Sequence, residues 1–296
     1  MEIITFVLNA AEIAELRSRL ESGGFDFRAL QYGHFAARGP GVVVNAYRSG
    51  KVVVQGAAAR AACERWFEGL GETATRAAAR GLPHGPLIGS DEAGKGDYFG
   101  PLVVAAAGMD AEAEQALRAL GVRDGKTLSD FQVRAADARI REVVPCACVV
   151  LEPEEYNRLH GQVGNVNRIL AEAHADAIAE LSRQLPQLRR VLVDRFAEES
   201  LVARALQRRG LELELIQKPR AEGHPAVAAA SIVARAAFLH TLARLSDDVA
   251  TDLPKGGSNP RILEAARRVA AIVGREGLAR VAKLHFRTTH KLGLDP

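Results

Sequence analysis

Four acids at the ends of apolar runs carry the strongest chemical signal in the sequence. Asp91 and Glu92 stand side by side in "IGSDEAGKGDYFGPLVVAA", Asp194 closes the run "RRVLVD", and Glu222 lies in "KPRAEGHPAVAAAS", just before a segment rich in Ala and Val. Neighbouring carboxylates raise each other's pKa unless a cation compensates. Three separated segments that each bring an acid to the end of an apolar element, with no equal set of bases beside them, suit hard divalent cations with oxygen ligands, most naturally Mg²⁺ or Mn²⁺. Two such ions could activate a water and stabilise the leaving oxygen of a phosphodiester. Adjacent strand residues point to opposite faces, so Asp91 and Glu92 share a ligand only where the chain twists or one side chain turns inward at the strand end. A solvated charged turn is the bland alternative.

The glycines that follow the pair do not make a nucleotide cradle. Gly94, Gly96 and Gly100 lead into "PLVVAAA", a strand pattern. Dinucleotide and P-loop sites need a helix N-terminus aimed at the phosphate, and the P-loop also needs a GK[ST] ending.

The elements that would position these residues fall into two patterns. Residues 1–71 read as a small α+β unit: strand "EIITFVL", a helix capped by Asn9 and stopped by Gly23 and Gly24, strands "HFAARG", "VVVNAYRSG" and "KVVVQG" with a hairpin turn at "SGK", and a closing helix "AAARAACERWFEGL". Residues 72–86, rich in Ala, Gly and Pro, read as a linker. From 87 to 296 longer strands alternate with helices, the pattern of an α/β layer. "PLIGSDEAG", "YFGPLVVAAAGM", "PCACVVLEP", "RRVLVDRF" and "ELELIQK" are predicted strands, and helices dominate after "HPAVAAASIVARAAFLHTLARLS". Asp194 thus falls at the carboxyl edge of a sheet, where open α/β sheets place their ligands.

Composition sets the outer bounds. The chain has 296 residues, 48% apolar and 25% charged, enough for substantial cores. No run reads as a membrane span or cleavable signal, and three cysteines in unpromising positions for disulfides suggest a reducing, cytoplasmic address. Cys146 and Cys148 form a CxC pair that reads as structural. The net charge of +3 is uneven: Pro254–Pro296 holds nine Lys or Arg against three acids, together with His285 and His290. That block is either a solvated helix face or a surface for a polyanion.

"GSDEAGKGDYFGPLVVAA", "YNRLHGQVGNVNRILAEAHADAI", "VLVDRFA", "AEGHPAVAAASIVARAAFL", "LPKGGSNP" and "AKLHFRTTHKL" together resemble, in order, the motifs of the prokaryotic type 2 ribonucleases H, and "GDYFGP" is similar to the HIII branch. "LQYGHFAARGPGVVVNAYRSGKVVVQG" resembles that branch's TATA-binding-protein-like extension. The resemblance implies an α/β fold: an RNase H-like catalytic domain, a mixed sheet flanked by helices, with the small α+β domain before it and a helical C-terminal region. It implies a metal-dependent endoribonuclease acting on the RNA strand of an RNA/DNA hybrid duplex as a monomer. Two metal ions would serve each active site with substrate bound, and the products would carry 5′-phosphate and 3′-hydroxyl ends. Asp91, Glu92, Asp194 and Glu222 match the catalytic, metal-binding acids, and Gly94, Lys95 and Gly96 match the segment that contacts the RNA backbone and senses 2′-hydroxyls. Two positions depart from the family: Asp124-Gly125-Lys126 where relatives commonly have Asp-Ser-Lys, and Arg220-Ala221-Glu222 where they often have Lys-Ala-Glu. Incision at single ribonucleotides embedded in DNA, as by ribonuclease HII, and hybrid binding without catalysis remain open.

Further residues have two readings each. Lys126 is a phosphate contact or a solvated loop lysine, and Ser231 a nucleic-acid contact or a small packing residue. Lys255, Lys283, His285 and Arg287 are the leading basic candidates for substrate contact. Asp97 is a fifth metal-site acid or a brace for its turn. His174, mid-helix, reads as a hydrogen-bonding histidine at the core edge. In the N-terminal unit Tyr32, Phe35, Tyr47 and Lys51 form a stacking and phosphate surface, or the aromatics cover the core.

Overall fold

The computed structural model describes residues 2–31, 33–70, 82–122, 128–196 and 198–293, which divide into two compact units, 1–81 and 82–296. Most of the predicted linker, 72–81, lies outside the described residues, while 82–86 belong to the second unit.

The first unit is a five-stranded antiparallel sheet, ordered β1-β5-β4-β3-β2, with two helices. Its strands are β1 (Glu2–Val7), β2 (Asp26–Arg28), β3 (Gly33–Gly39), β4 (Val42–Tyr47) and β5 (Lys51–Gly56), and its helices α1 (Ala10–Ser22) and α2 (Ala59–Trp66). Asn9 starts α1 with a reciprocal capping box to Glu12. The alternation of β4 and β5 buries Val42, Val44, Ala46, Val52 and Val54 against Leu16 and Leu20 of α1. The three-residue β2 was not predicted; a strand that short has too few residues to show an alternation.

The second unit is a mixed five-stranded sheet, ordered β10-β9-β6-β7-β8. Strands β6 (Leu87–Ala93), β7 (Leu102–Met109) and β8 (Cys146–Leu151) form an antiparallel meander, and β9 (Arg190–Asp194) and β10 (Glu214–Lys218) add to β6 in parallel. Helices α3 (Ala111–Ala119), α4 (Asp130–Val143), α5 (Pro153–Val163), α6 (Val166–Gln184), α7 (Glu199–Arg208), α8 (Pro225–Asp248), α9 (Pro260–Val281) and α10 (Arg287–His290) cover it. α8 packs on β6 and β7 from one face, and α6 packs on β7, β8 and β6 from the other. Both β6 and β7 are therefore buried on both faces, which is why they read as continuous apolar runs. β7 begins at Leu102, later than predicted, because Gly100 turns through φ +82 and Pro101 has no N–H for the ladder.

α8 contradicts the expectation that no run could span a bilayer: by length and composition it could. Within the fold it is a core helix, with 72% of that apolar window buried. Its Ala-rich face lets it lie close to the sheet. A Cβ on Gly89 of β6 would stand 2.4 Å from the Ala226 carbonyl carbon, so only glycine fits there. Pro225 opens the helix, and the buried His224 caps it, accepting from the Ala226 N–H at Nδ1. Burial pushes the His224 imidazole down to about 4, which keeps that nitrogen an acceptor.

Candidate active site

The alternation of β6 decides where its polar residues go. Gly89 and Asp91 face α8, and Ser90 and Glu92 face α6. Asp91 is buried, with its carboxylate accepting from the Glu92 N–H at 2.9 Å and from the Ser231 hydroxyl on α8. Burial first, then the charges of Glu92 and Asp194, push its carboxyl up to about 7.

On the other face the Ser90 hydroxyl donates to the Ala105 carbonyl at 2.8 Å, so it meets His174 Nδ1 (2.7 Å) as an acceptor. His174 is fully buried, stacked on Phe196 with ring centroids 4.9 Å apart, and its Nε2 lies 3.4 Å from Glu92 Oε2. It is a core residue, deeper than the core edge where the sequence placed it, and its ring stands beside the Glu92 carboxylate. Lys95 follows in the loop, its Nζ 4.0 Å from Glu92 Oε1 and 5.2 Å from the Phe196 ring.

Asp194 ends β9 beside β6, at the carboxyl edge of the sheet. Its Oδ1 accepts from the Ala221 N–H at 2.9 Å, which ties it to the short turn Ala221–Gly223 that carries Glu222. That turn is entered through Arg220, a non-glycine residue at φ +59, a conformation that costs roughly 1–2 kcal/mol and persists only where its surroundings fix it. The fold thus brings Asp91, Glu92 and Asp194 into electrostatic contact and ties the segment of Glu222 to Asp194. Among the described residues no three His, Cys, Asp or Glu side chains already form a closed cation cage. An all-carboxylate donor set whose central member is held up at about 7 by burial and by its neighbours' charge nonetheless fits a hard divalent ion.

The other predicted contacts divide. Ser231 touches the site, but through Asp91. Lys255 is exposed, its Nζ 2.6 Å from Asp130 Oδ2, and Arg235, one turn beyond Ser231 on α8, binds Asp130 Oδ1 at 2.9 Å. Those two pairings hold the Asp130 carboxyl below its usual range despite partial burial. His285 is exposed and stacked on His160 with centroids 4.4 Å apart; burial of part of the ring, then His160 and Lys283, push it down to about 4. Arg287 is exposed at the start of α10. Lys283 is a correction. It is fully buried, its Nζ donating to the Gly100 and Pro101 carbonyls, and it cannot reach a substrate. Phe35 is another: 2% exposed and packed on Phe27, it belongs to the core of the first unit and offers no stacking surface. Tyr47 is half-buried and Lys51 exposed, while Tyr32 and Lys126 lie outside the described residues. Asp97 braces: its Oδ1 accepts from the Gly256 N–H at 2.6 Å. Cys146 and Cys148 are half-buried free thiols, pushed up by burial to about 12 and about 11, which keeps them protonated.

Comparisons with known proteins agree with this fold. The family model "Ribonuclease HII" matches residues 88–289, and a domain of unknown function, DUF3378, matches residues 4–78. The fold and the first of these matches define a nuclease of the type 2 ribonuclease H class. Ribonuclease HIII of Protochlamydia amoebophila is 37% identical over 97% of this chain and 94% of its own, and that of Geobacillus kaustophilus 39% identical over 87% of each. The crystal structure of Bst-RNase HIII in complex with Mn²⁺ superposes with a TM-score of 0.69 at 35% identity, covering 98% of both chains. The chain belongs to the ribonuclease HIII family. It is a divalent-metal-dependent ribonuclease H, an endoribonuclease acting on RNA/DNA hybrids.

Proposed function

We propose that Asp91, Glu92, Asp194 and Glu222 are the residues that hold the metal and cleave the RNA strand. Two ions, Mg²⁺ or Mn²⁺, are held with substrate bound, and cleavage leaves 5′-phosphate and 3′-hydroxyl ends. The observation that carries this is Asp91: a buried carboxylate fixed by Ser231 and the Glu92 N–H, with Glu92 and Asp194 pressing on it. A bound divalent ion supplies Lewis acidity to the phosphodiester and lowers the pKa of an attacking water. The chain's own part is to aim the ligands. Ser231 holds Asp91 from one side of β6, the Ala221 N–H orients Asp194, and the buried His174, fixed by Ser90, packs beside Glu92 on the other side. Gly94, Lys95 and Gly96, next in sequence, stand where glycines admit a nucleic-acid backbone closely and a 2′-hydroxyl tells RNA from DNA.

Asp91→Asn keeps the size and one acceptor of the side chain while removing its charge. We expect it to abolish hybrid cleavage by about 10³-fold or more, the loss of several kcal/mol of transition-state stabilisation. Mn²⁺ binding read by calorimetry should weaken in parallel, with the circular dichroism spectrum unchanged. Cleavage near the wild-type rate would overturn the assignment.

A further inference from the structure

Lys283 has no place in a substrate-contact account, because none of it is exposed. An apolar side chain would fill the same space without burying an ammonium, so the donors themselves must matter. Nζ donates to the Gly100 carbonyl at 2.5 Å and the Pro101 carbonyl at 3.1 Å. Both lie in the loop between β6 and β7, just before pairing begins at Leu102. The Pro101 oxygen also faces Gly94: a Cβ on Gly94, at φ +85, would stand 2.2 Å from it. Lys283 therefore fixes the carbonyl that leaves room at position 94 for glycine alone.

The surrounding contacts run the same way. The Lys283 N–H donates to the Tyr98 carbonyl at 2.8 Å, the Gly100 N–H to the Val281 carbonyl at 2.9 Å, and Phe99 bridges to Ala282. At the far end of the loop the Tyr98 N–H donates to the Gly256 carbonyl at 2.9 Å, and the Gly256 N–H returns to Asp97 Oδ1 at 2.6 Å. Asn157 of α5 holds the C-terminal segment in turn, donating to the Ala279 and Ala282 carbonyls and accepting from the Leu284 N–H.

We propose that Lys283 is a positioning residue which clamps the 94–101 loop to the C-terminal segment, as Asp97 clamps it to the turn at Gly256, and so sets the height of Gly94–Gly96 beside the acids. The role rests on reading Gly94–Gly96 as the segment that meets the RNA backbone. It makes the C-terminal segment part of hybrid recognition from beneath, without touching the substrate.

The test is steady-state cleavage at saturating Mn²⁺, together with equilibrium binding to hybrid and to DNA duplex, for Lys283→Met, Asp97→Ala, the double variant and Lys95→Ala. We expect KM for hybrid to rise about 10-fold in each clamp variant with kcat within about 3-fold, a pattern that marks lost binding and not lost chemistry. Affinity for DNA duplex should hold, so preference for hybrid falls by the same factor, and the double variant should be little worse than the poorer single. An unchanged KM with reduced kcat, or an equal loss for both duplexes, would reduce Lys283 to a structural residue and overturn the proposal. If Lys283→Met does not fold, Asp97→Ala carries the test by the same criteria. If Lys95→Ala changes neither KM nor preference, the reading of the loop fails and takes the clamp with it. If Lys95→Ala raises KM while the clamp variants do not, the clamp alone fails.

Discussion

At the scale of single residues, two buried ionisable groups pull stability in opposite directions with pH. Asp91 has its carboxyl raised from 3.8 to about 7, so between those values the folded chain holds a proton that the unfolded chain has lost. Its contribution is present below pH 3.8 and lost as pH rises through 7, a swing with a rough ceiling of about 4 kcal/mol at about 1.4 kcal/mol per pKa unit. Asp91→Asn removes that loss. In EDTA at pH 8 we expect the variant to melt at a higher temperature than the wild type, the gap closing near pH 4. Adding Mn²⁺ should raise the melting temperature of the wild type more than that of the variant. Equal melting temperatures in EDTA at pH 8 would show that the repulsion is relieved some other way. Lys283 runs the other way. Burial lowers it from 10.5 to about 7, so the unfolded chain binds the extra proton between those values and stability rises with pH across that window. Its penalty is fully present below pH 7 and relieved by pH 10.5. Neutral lysine keeps two N–H donors, one for each carbonyl it holds, so the clamp survives deprotonation. Denaturant unfolding from pH 7 to 10 should show this rise in the wild type and a shallower one in Lys283→Met; parallel curves would place the charge elsewhere.

At the scale of elements, the site is made by the sandwich of β6 between α8 and α6, and Gly89 is where that sandwich is tightest. A methyl there meets the Ala226 and Val227 backbone at 2.4 and 2.5 Å, so α8 must move away from the strand. We expect Gly89→Ala to destabilise by roughly 1–3 kcal/mol, as overpacked cores do. Because α8 carries Ser231, activity should fall further than stability explains; loss of stability with kcat intact would separate the helix from the chemistry. How much of this was legible in the sequence follows the same division. The strands that carry Asp91 and Asp194, the N-cap at Asn9 and the long α6 and α8 are local patterns, and local patterns survive in one dimension. The opposed faces of Asp91 and Glu92 follow from strand geometry alone. The pairing of Ser90 with His174, the bond from Asp194 to Ala221 and the left-handed Arg220 are tertiary facts with no local signature. Lys283 and Phe35 were misplaced for one reason: residue type alone suggests that a lysine is exposed and that aromatics grouped with a lysine in a small unit form a surface, and burial overrode both.

At the scale of the whole molecule, each of the two units has a core of its own among the described residues. The first unit closes its own around Leu16, Leu20, Val44, Val52 and Val54, the second around β6, β7, β9 and α6. A unit with its own core can fold alone. The acids, the loop and the clamp all lie in the second, so a chain of residues 82–296 should unfold cooperatively, gain stability from Mn²⁺ and retain kcat on hybrid within about 3-fold. The first unit is nearly neutral, eight Lys or Arg against seven acids in residues 1–71, which offers little support for a strongly electrostatic role. Its contribution, if it holds substrate, is that of a tethered second binding module, which raises affinity without altering the chemical step. Removing it should then raise KM by about 10-fold or more at fixed salt, while the slope of log KM against log salt changes little, because few phosphate charges are given up. With Phe35 buried, Tyr47 and Lys51 are the residues of this unit whose substitution in the full chain should reproduce part of that rise. An unchanged KM on deletion would leave the whole of hybrid recognition to the second unit, and a steep change in the salt slope would mean that the N-terminal unit binds by charge after all.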